Sequence, residues 1–397
     1  MLPSPQRGEG SQNRNTENEL VPKYFATCAR GLEPVLAEEL RALQAHDVVP
    51  GRGGVAFVGD LLLLYRANLY LRTAIRVLQP ILEAEVGSPE DLYQVVHDFD
   101  WDRFLTPDHT IAVDSNVRDS EITHSKYAAL RVKDGICDFF RERHGRRPSV
   151  NVEKPMVGLN LHIHADHMVL SLDSSGDSLH KRGYRPIQTR APINETLAAG
   201  LVLMTGWRGE GPLLDPLCGS GTFCIEGAWI ALNRPPGLTR KWFGFMGWMN
   251  HNMTQWTRIR NQARADMAKT LPHLIAGSDI RCDAVNFANE NARSAGIGHL
   301  VKFERYDVTD FYVPAGPPGV LICNPPYGER LGEDEDLRPL YRTLGEVFAR
   351  SPGWRCFVFT GNSSLGKQIG MQIGMKPVRR EFLFNGTIDC QLLEFHP

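Results

Sequence analysis

Asn324, Pro325, Pro326 and Tyr327 follow directly on the apolar run Gly319-Val320-Leu321-Ile322-Cys323. A short apolar run closed in this way reads as a buried strand stopped by a rigid loop, because two prolines fix φ and donate no amide hydrogen. The Asn324 side-chain oxygen and the Pro325 carbonyl then become two acceptors of fixed direction. One group suits such a pair well: the NH₂ of a flat base, whose two hydrogens they take while its lone pair faces a methyl donor. A base amine is a poor nucleophile, since its lone pair is delocalised into the ring. The chemistry on offer is therefore positioning and stabilisation of developing charge. Tyr327 adds a flat surface on which the base could stack. On this chemistry alone adenine, cytosine and guanine all remain open as targets.

A second constellation lies upstream. Leu213-Leu214 close an apolar run, followed by Asp215, Pro216, Leu217, then Cys218-Gly219-Ser220-Gly221-Thr222, then a helical stretch from Phe223. A glycine-rich turn between strand and helix lets a ligand approach backbone amides without Cβ interference, and the helix N-terminus favours negative charge. Taken alone, this turn is weak evidence, with a tight connection as the alternative. Two acids extend the pattern: Asp279 ends HLIAGSD and Asp307 ends FERYD. At strand ends an acid can take ribose hydroxyls or an adenine amino group, so turn, acid and acid in succession point to an adenosine-bearing ligand at the carboxyl edge of a sheet. Gly221 is followed by Thr222 rather than by a lysine, which disfavours a triphosphate.

The elements that must position these groups follow from the pattern of apolar residues. From residue 193 onward short apolar strands alternate with helices, which indicates a doubly wound parallel sheet. EFLFNGTIDCQLLEF adds a closing hairpin about an Asn-Gly turn. Residues 21–176 read as a smaller α+β part, with Leu36, Leu40 and Leu43 on one helix after a turn at Gly31 and a hairpin about Ala165-Asp166. Residues 1–20 are polar and almost without aliphatics, as in a disordered tail, and residues 177–192 are polar and proline-punctuated, as in a linker. Glu333, Asp334, Glu335 and Asp336 precede a helix, where acids complement the dipole.

The whole pattern resembles a known family. DPLCGSGT followed by NPPYGERL is similar to the class I amino-methyltransferases. FATCARGLEPVLAEEL, SKYAALRVKDGICDFF, LDSSGDSLHKRGYR, PINETLAA, RPPGLTRKWFGFMGW and FNGTIDC resemble the THUMP-domain RNA methyltransferases. Among these the N-terminal module of the bacterial bifunctional 23S rRNA guanine-N2 methyltransferases is the nearest likeness. The resemblance implies a ferredoxin-like domain over 21–66, a THUMP domain over 67–176 and a Rossmann-like class I methyltransferase domain over 193–397. It implies S-adenosylmethionine as cofactor, held around Asp215, Cys218, Gly219, Ser220, Gly221, Thr222, Asp279 and Asp307. It places the target amine at Asn324, Pro325, Pro326 and Tyr327, and makes N2 of a guanine in 23S rRNA the expected substrate. The bifunctional family carries a second methyltransferase after this module, whereas the present sequence stops at Pro397.

An RNA partner calls for cations, yet the formal net charge is only −2, so any basic surface is local. Residues 126–148 hold seven cations against three acids, and Lys126, Arg131, Arg146 and Arg147 are candidate phosphate contacts. Arg182 and Arg185, from the basic stretch 181–190, are two more. Tyr184 and the loop of Trp242, Phe243, Phe245 and Trp248 offer rings for unpaired bases, with at least two of the loop rings expected in the core. His162, His164 and His167 do not complete a ligand set, and no metal is expected. The eight cysteines form no Cys-x-x-Cys pair and no apolar run is long enough to span a membrane, so a reducing cytoplasm is the expected compartment. Transfer-RNA guanine-N2 methylation, DNA adenine-N6 methylation and a non-catalytic RNA-binding assembly role are the alternatives. The last sits poorly with two complete motifs. The DNA reading sits poorly with the 70 residues that follow Tyr327, which the sheet itself requires.

Overall fold

The computed structural model describes residues 21–185, 193–327 and 336–397. The 1–20 tail, the later part of the 177–192 linker and Glu333, Asp334 and Glu335 lie outside the described residues.

The N-terminal part runs β1 (Lys23–Cys28), α1 (Glu33–Ala42), β2 (His46–Gly51), β3 (Gly54–Val58), α2 (Leu61–Tyr70), β4 (Ala74–Glu85), α3 (Pro89–His97), β5 (Thr110–Arg118), α4 (Ser125–His144), β6 (Ser149–Val150), β7 (Val157–His164) and β8 (His167–Asp173). Local chemistry sets the helix starts. Asp60 accepts from the Leu63 amide at 2.7 Å and Ser88 from the Asp91 amide at 3.1 Å, each filling an orphan donor of a first turn. The β7–β8 hairpin turns on Ala165 and Asp166, both at positive φ, the type I′ geometry that matches strand twist. These strands form a single sheet in the order β2-β3-β1-β4-β8-β7-β5-β6. The long strand β4 makes the sheet continuous: its first half pairs with β1 and its second half with β8.

The C-terminal part runs α5 (Glu195–Met204), β9 (Leu213–Asp215), α6 (Thr222–Ala231), α7 (Met253–Ala265), β10 (Ile275–Asp279), α8 (Cys282–Ser294), β11 (Lys302–Arg305), β12 (Val320–Cys323), α9 (Arg338–Ala349), β13 (Arg355–Thr360), α10 (Ser363–Ile373), β14 (Arg379–Asn385) and β15 (Ile388–Phe395). Its sheet has the order β11-β10-β9-β12-β13-β15-β14, with β9 to β13 parallel and β15 antiparallel to both its neighbours. The central strands bury both faces. Ile322 and Phe357 join the core shared with the N-terminal part, while Leu321, Cys323, Cys356 and Val358 pack under α9 and α10. Chain order reverses between β9 and β12, so their carboxyl ends open a crevice where ligands bind in sheets of this kind.

Two details depart from the sequence reading. The final hairpin closes on the pair Asn385–Ile388, so its two-residue loop is Gly386-Thr387 rather than Asn-Gly; Gly386 takes the positive φ of 66°, and Asn385 stays in the strand. Residues 177–185 are not a loose linker, for Leu179, Arg182 and Tyr184 are all buried.

Candidate active site

The glycine turn leaves β9 at Asp215 and enters α6 at Thr222. The Asp215 carboxylate accepts the Leu217 amide at 3.0 Å. Burial pushes its pKa well above the usual carboxylate range, and the charge of Asp279 adds to that push. Gly221, at φ 80°, caps α6; a Cβ there would lie 2.7 Å from the Phe303 ring. Gly219 takes φ 51° for a different reason, since a Cβ there would meet nothing within 4 Å. Its backbone therefore borders open space, as a ligand-approach position requires. The Gly219 amide donates to Asp279 Oδ2 at 3.0 Å, tying the turn to the end of β10. Cys218 donates its amide to the Ser278 carbonyl, and Asn291 on α8 donates to the Ser220 carbonyl at 3.0 Å. Asp215, Cys218, Gly219, Ser220, Gly221, Thr222 and Asp279 thus come together at one sheet edge. Asp307 lies two residues beyond β11 and caps the short turn that follows, accepting the Thr309 amide at 2.9 Å.

β12 runs beside β9 with Leu321 opposite Leu214, so Asn324 emerges across the crevice from the glycine turn. Its Oδ1 is buried and, among the described residues, has no hydrogen-bond partner. A buried acceptor left unsatisfied costs about 1–3 kcal/mol, which a ligand donor would recover. The loop around it is held firmly. Tyr341 Oη donates to the Pro326 carbonyl at 3.2 Å and lies 2.8 Å from Thr360 Oγ1. The Tyr327 ring is buried and packs against Gly361, where a Cβ would come within 2.6 Å of it. Its hydroxyl accepts from Asn385 Nδ2 at 3.0 Å. Tyr327 braces the loop in this arrangement, and only a small part of its ring is open to solvent. Tyr341, Thr360, Asn385 and Asn291 are supporting residues absent from the sequence reading. No spacing rule links them to their partners, since each contact crosses the fold.

Arg182 and Arg185 do not serve as free phosphate contacts. Arg182 is buried, donates to the Leu179 carbonyl at 2.8 Å and to the Arg72 carbonyl, and sits 3.7 Å from the buried Glu226 carboxylate. Arg185 is spent on the Ile193 carbonyl at 2.9 Å, on Thr222 and on Glu195 at 3.4 Å. Buried cations need partners of this kind. Tyr184 is no stacking ring either; it donates to Glu226 at 3.1 Å and meets Trp229 edge-on. In the aromatic loop Phe243, Phe245 and Trp248 are buried and Trp242 is exposed.

On α4, Lys126 is exposed. The Arg131 guanidinium lies 4.5 Å from the Tyr93 ring centroid. Arg146 pairs with Asp108, and Arg147 is exposed with Nη1 3.6 Å from Cys137 Sγ. Of the three histidines, His164 approaches Asp119 at 3.5 Å and His167 meets Glu85 at 2.8 Å. Among the described residues no helix is long and apolar enough to cross a membrane.

Comparison with known proteins matches three domains along the chain. Residues 182–394 match the RMKL-like methyltransferase domain, residues 23–78 the RlmL ferredoxin-like domain and residues 87–173 the THUMP domain. A ribosomal RNA large subunit methyltransferase K/L of Syntrophotalea carbinolica is 46% identical over 384 residues, covering 94% of this chain and 53% of that protein. The chain thus spans about half the length of that relative. A Synechocystis sp. protein assigned as an RNA methyltransferase is 42% identical over 374 residues, covering 94% of this chain and 96% of its own length. The crystal structure of SMU.472, described as a methyltransferase complexed with SAH, superposes with a TM-score of 0.86 at 32% identity over 95% of this chain and 98% of that one. With the crevice at the reversal of the sheet, the buried Asn324 acceptor and these matches along almost its whole length, the chain belongs to the RMKL-like methyltransferase family.

Proposed function

We propose that the chain methylates the exocyclic N2 amine of a guanine in large-subunit (23S) rRNA, with S-adenosylmethionine as methyl donor. One observation carries the reading: the Oδ1 of Asn324, just past the carboxyl end of β12, is buried and has no hydrogen-bond partner among the described residues. The cofactor supplies an electrophilic methyl group. The residues present fit it. Gly219 leaves backbone exposed to open space, and the Asp279 carboxylate, already fixed by the Gly219 and Arg281 amides, keeps lone pairs for ribose hydroxyls. Asp215 and Asp307 complete the acidic edge.

Asn324 Oδ1 and the Pro325 carbonyl accept the two hydrogens of the target amine, which turns its lone pair toward the donor. As the nitrogen gains positive charge, these two dipoles stabilise it without reorganising. Pro325 and Pro326 hold the acceptors rigid, and the Tyr341 and Asn385 hydrogen bonds fix the loop from below. A base inside a helix cannot reach this crevice, so the target is unpaired or extruded. RNA as substrate is supported by the THUMP match. The 23S assignment rests on the large-subunit name of the Syntrophotalea relative, and guanine N2 on the resemblance drawn from the sequence. Lys126, Arg131, Arg146 and Arg147 form the candidate RNA-facing surface of the N-terminal part.

Asn324→Ala tests this directly. Turnover should fall by about two orders of magnitude or more, as for loss of an oriented transition-state partner, while calorimetric affinity for S-adenosylhomocysteine stays unchanged. Nucleoside mass spectrometry of rRNA from a deletion strain should show one missing N2-methylguanosine, restored by the wild type and not by Asn324→Ala. A missing N6-methyladenosine, or a mark lost from transfer RNA, would overturn the substrate.

A further inference from the structure

Strand β14 is the outer edge of the C-terminal sheet, and α10 does not cover it. Between them lies a groove of about 660 Å³. Its floor is Leu393, its α10 wall carries Lys367 and Met371, and its β14 side carries Lys376 and Arg380. No carboxylate lines it among the described residues, and Lys367, Lys376, Arg380 and Met371 are all exposed. Side chains alternate along a strand, so Phe382 extends the line of Arg380 toward the catalytic edge; it is 67% exposed. At that end of the groove stands Ser363, two residues past the Gly361 that packs on Tyr327. The groove therefore leads away from the Asn324–Tyr327 loop.

We infer that this groove is a track for single-stranded RNA flanking the target base, an inference that rests on the RNA reading above. Cations along a channel follow phosphates, and an exposed ring beside them stacks bases with little sequence preference. A second copy of the chain fits the same surface poorly. A two-fold contact sets the same patch against itself, bringing Lys367, Lys376 and Arg380 against their own copies.

The test uses the full chain, a short unstructured fluorescent oligoribonucleotide and anisotropy titrations at several salt concentrations. The triple variant Lys367→Gln, Lys376→Gln, Arg380→Gln should bind about tenfold or more weakly. Its log–log salt slope should be shallower by about 2, because each phosphate contact on a single strand contributes about 0.7. Phe382→Ala should lose about fivefold in affinity with the slope unchanged. Calorimetric binding of S-adenosylhomocysteine should match wild type in both, which shows the fold is retained. An unaltered slope in a triple variant whose wild type binds RNA overturns the track alone and leaves these cations as guards of an edge strand. A variant that keeps its RNA affinity but changes from dimer to monomer in light scattering makes the groove a protein interface, which also overturns it. A wild-type chain that binds no RNA overturns both the track and the substrate reading.

Discussion

At the scale of single residues, Asp215 and Asn324 occupy adjacent strand ends and are set for different tasks by burial. Asn324 is neutral, and its buried Oδ1 is an acceptor unfilled among the described residues. Asp215 is held toward its neutral form by burial, with the Asp279 charge reinforcing it. This has a pH signature. In the unfolded chain the carboxyl ionises near pH 4, whereas in the folded chain it keeps its proton to higher pH. Between those values the unfolded state binds fewer protons, so stability falls as pH rises. The contribution is complete below the unfolded value and is lost on the way up to the folded one. Asp215→Asn keeps an oxygen for the Leu217 amide and removes the titration. Its melting temperature relative to wild type should therefore climb from about pH 4 toward neutral pH. A difference that stays flat across that range would mean that Asp215 is ionised in the folded protein.

At the scale of elements, what was legible in sequence divides by the range of the interaction. Strand, glycine turn and helix are contiguous, so Gly219, Gly221 and the two-proline loop declare their geometry locally, and periodicity gives the parallel sheet. Arg182, Arg185 and Tyr184 misled because composition sees only their charge, rings and polar neighbours. Of their partners, Arg72, Glu226 and Trp229 are distant in sequence and arrive only when the segment just past α2 packs on α6, while the nearer Glu195 arrives with α5. Asn385 is a similar case: Asn-Gly is a strong turn signal, yet the side chain is committed to Tyr327, and the loop shifts by one residue. The Arg182 environment gives a sharp expectation. Arg182→Met takes from the buried Glu226 one of the two cations that face it, Arg72 being the other, and loss of one partner of a buried pair costs up to about 3–5 kcal/mol. Urea unfolding should show a destabilisation of that order, while the salt dependence of RNA binding stays as in wild type. Unchanged stability with a shallower salt slope would return Arg182 to the RNA surface.

At the scale of the whole molecule, the N-terminal and C-terminal parts are joined through one core rather than by a tether. Tyr65 of α2 packs on Phe245 with centroids 4.6 Å apart and meets Trp256 of α7 edge-on. The Arg72 guanidinium donates to the Trp229 carbonyl at 3.3 Å, and Gly237 lies so close to α2 that a Cβ would be 2.9 Å from the Leu69 carbonyl. At the other end of the seam the Arg30 guanidinium stacks 4.1 Å from the Phe384 ring centroid. That ring neighbours Asn385, which holds Tyr327, so the first turn of the N-terminal part reaches the Asn324–Tyr327 loop through a single hairpin. Buried apolar residues from β1 to β15 belong to one continuous cluster. Deleting residues 21–185 would therefore expose a core, not a polar boundary. The full chain should unfold in one calorimetric transition, whereas a fragment beginning at residue 193 should bind a hydrophobic dye and lack a cooperative melt. A fragment that melts cooperatively near the full-length temperature and binds S-adenosylhomocysteine normally would show that the catalytic part folds alone, and that the seam transmits nothing to the site.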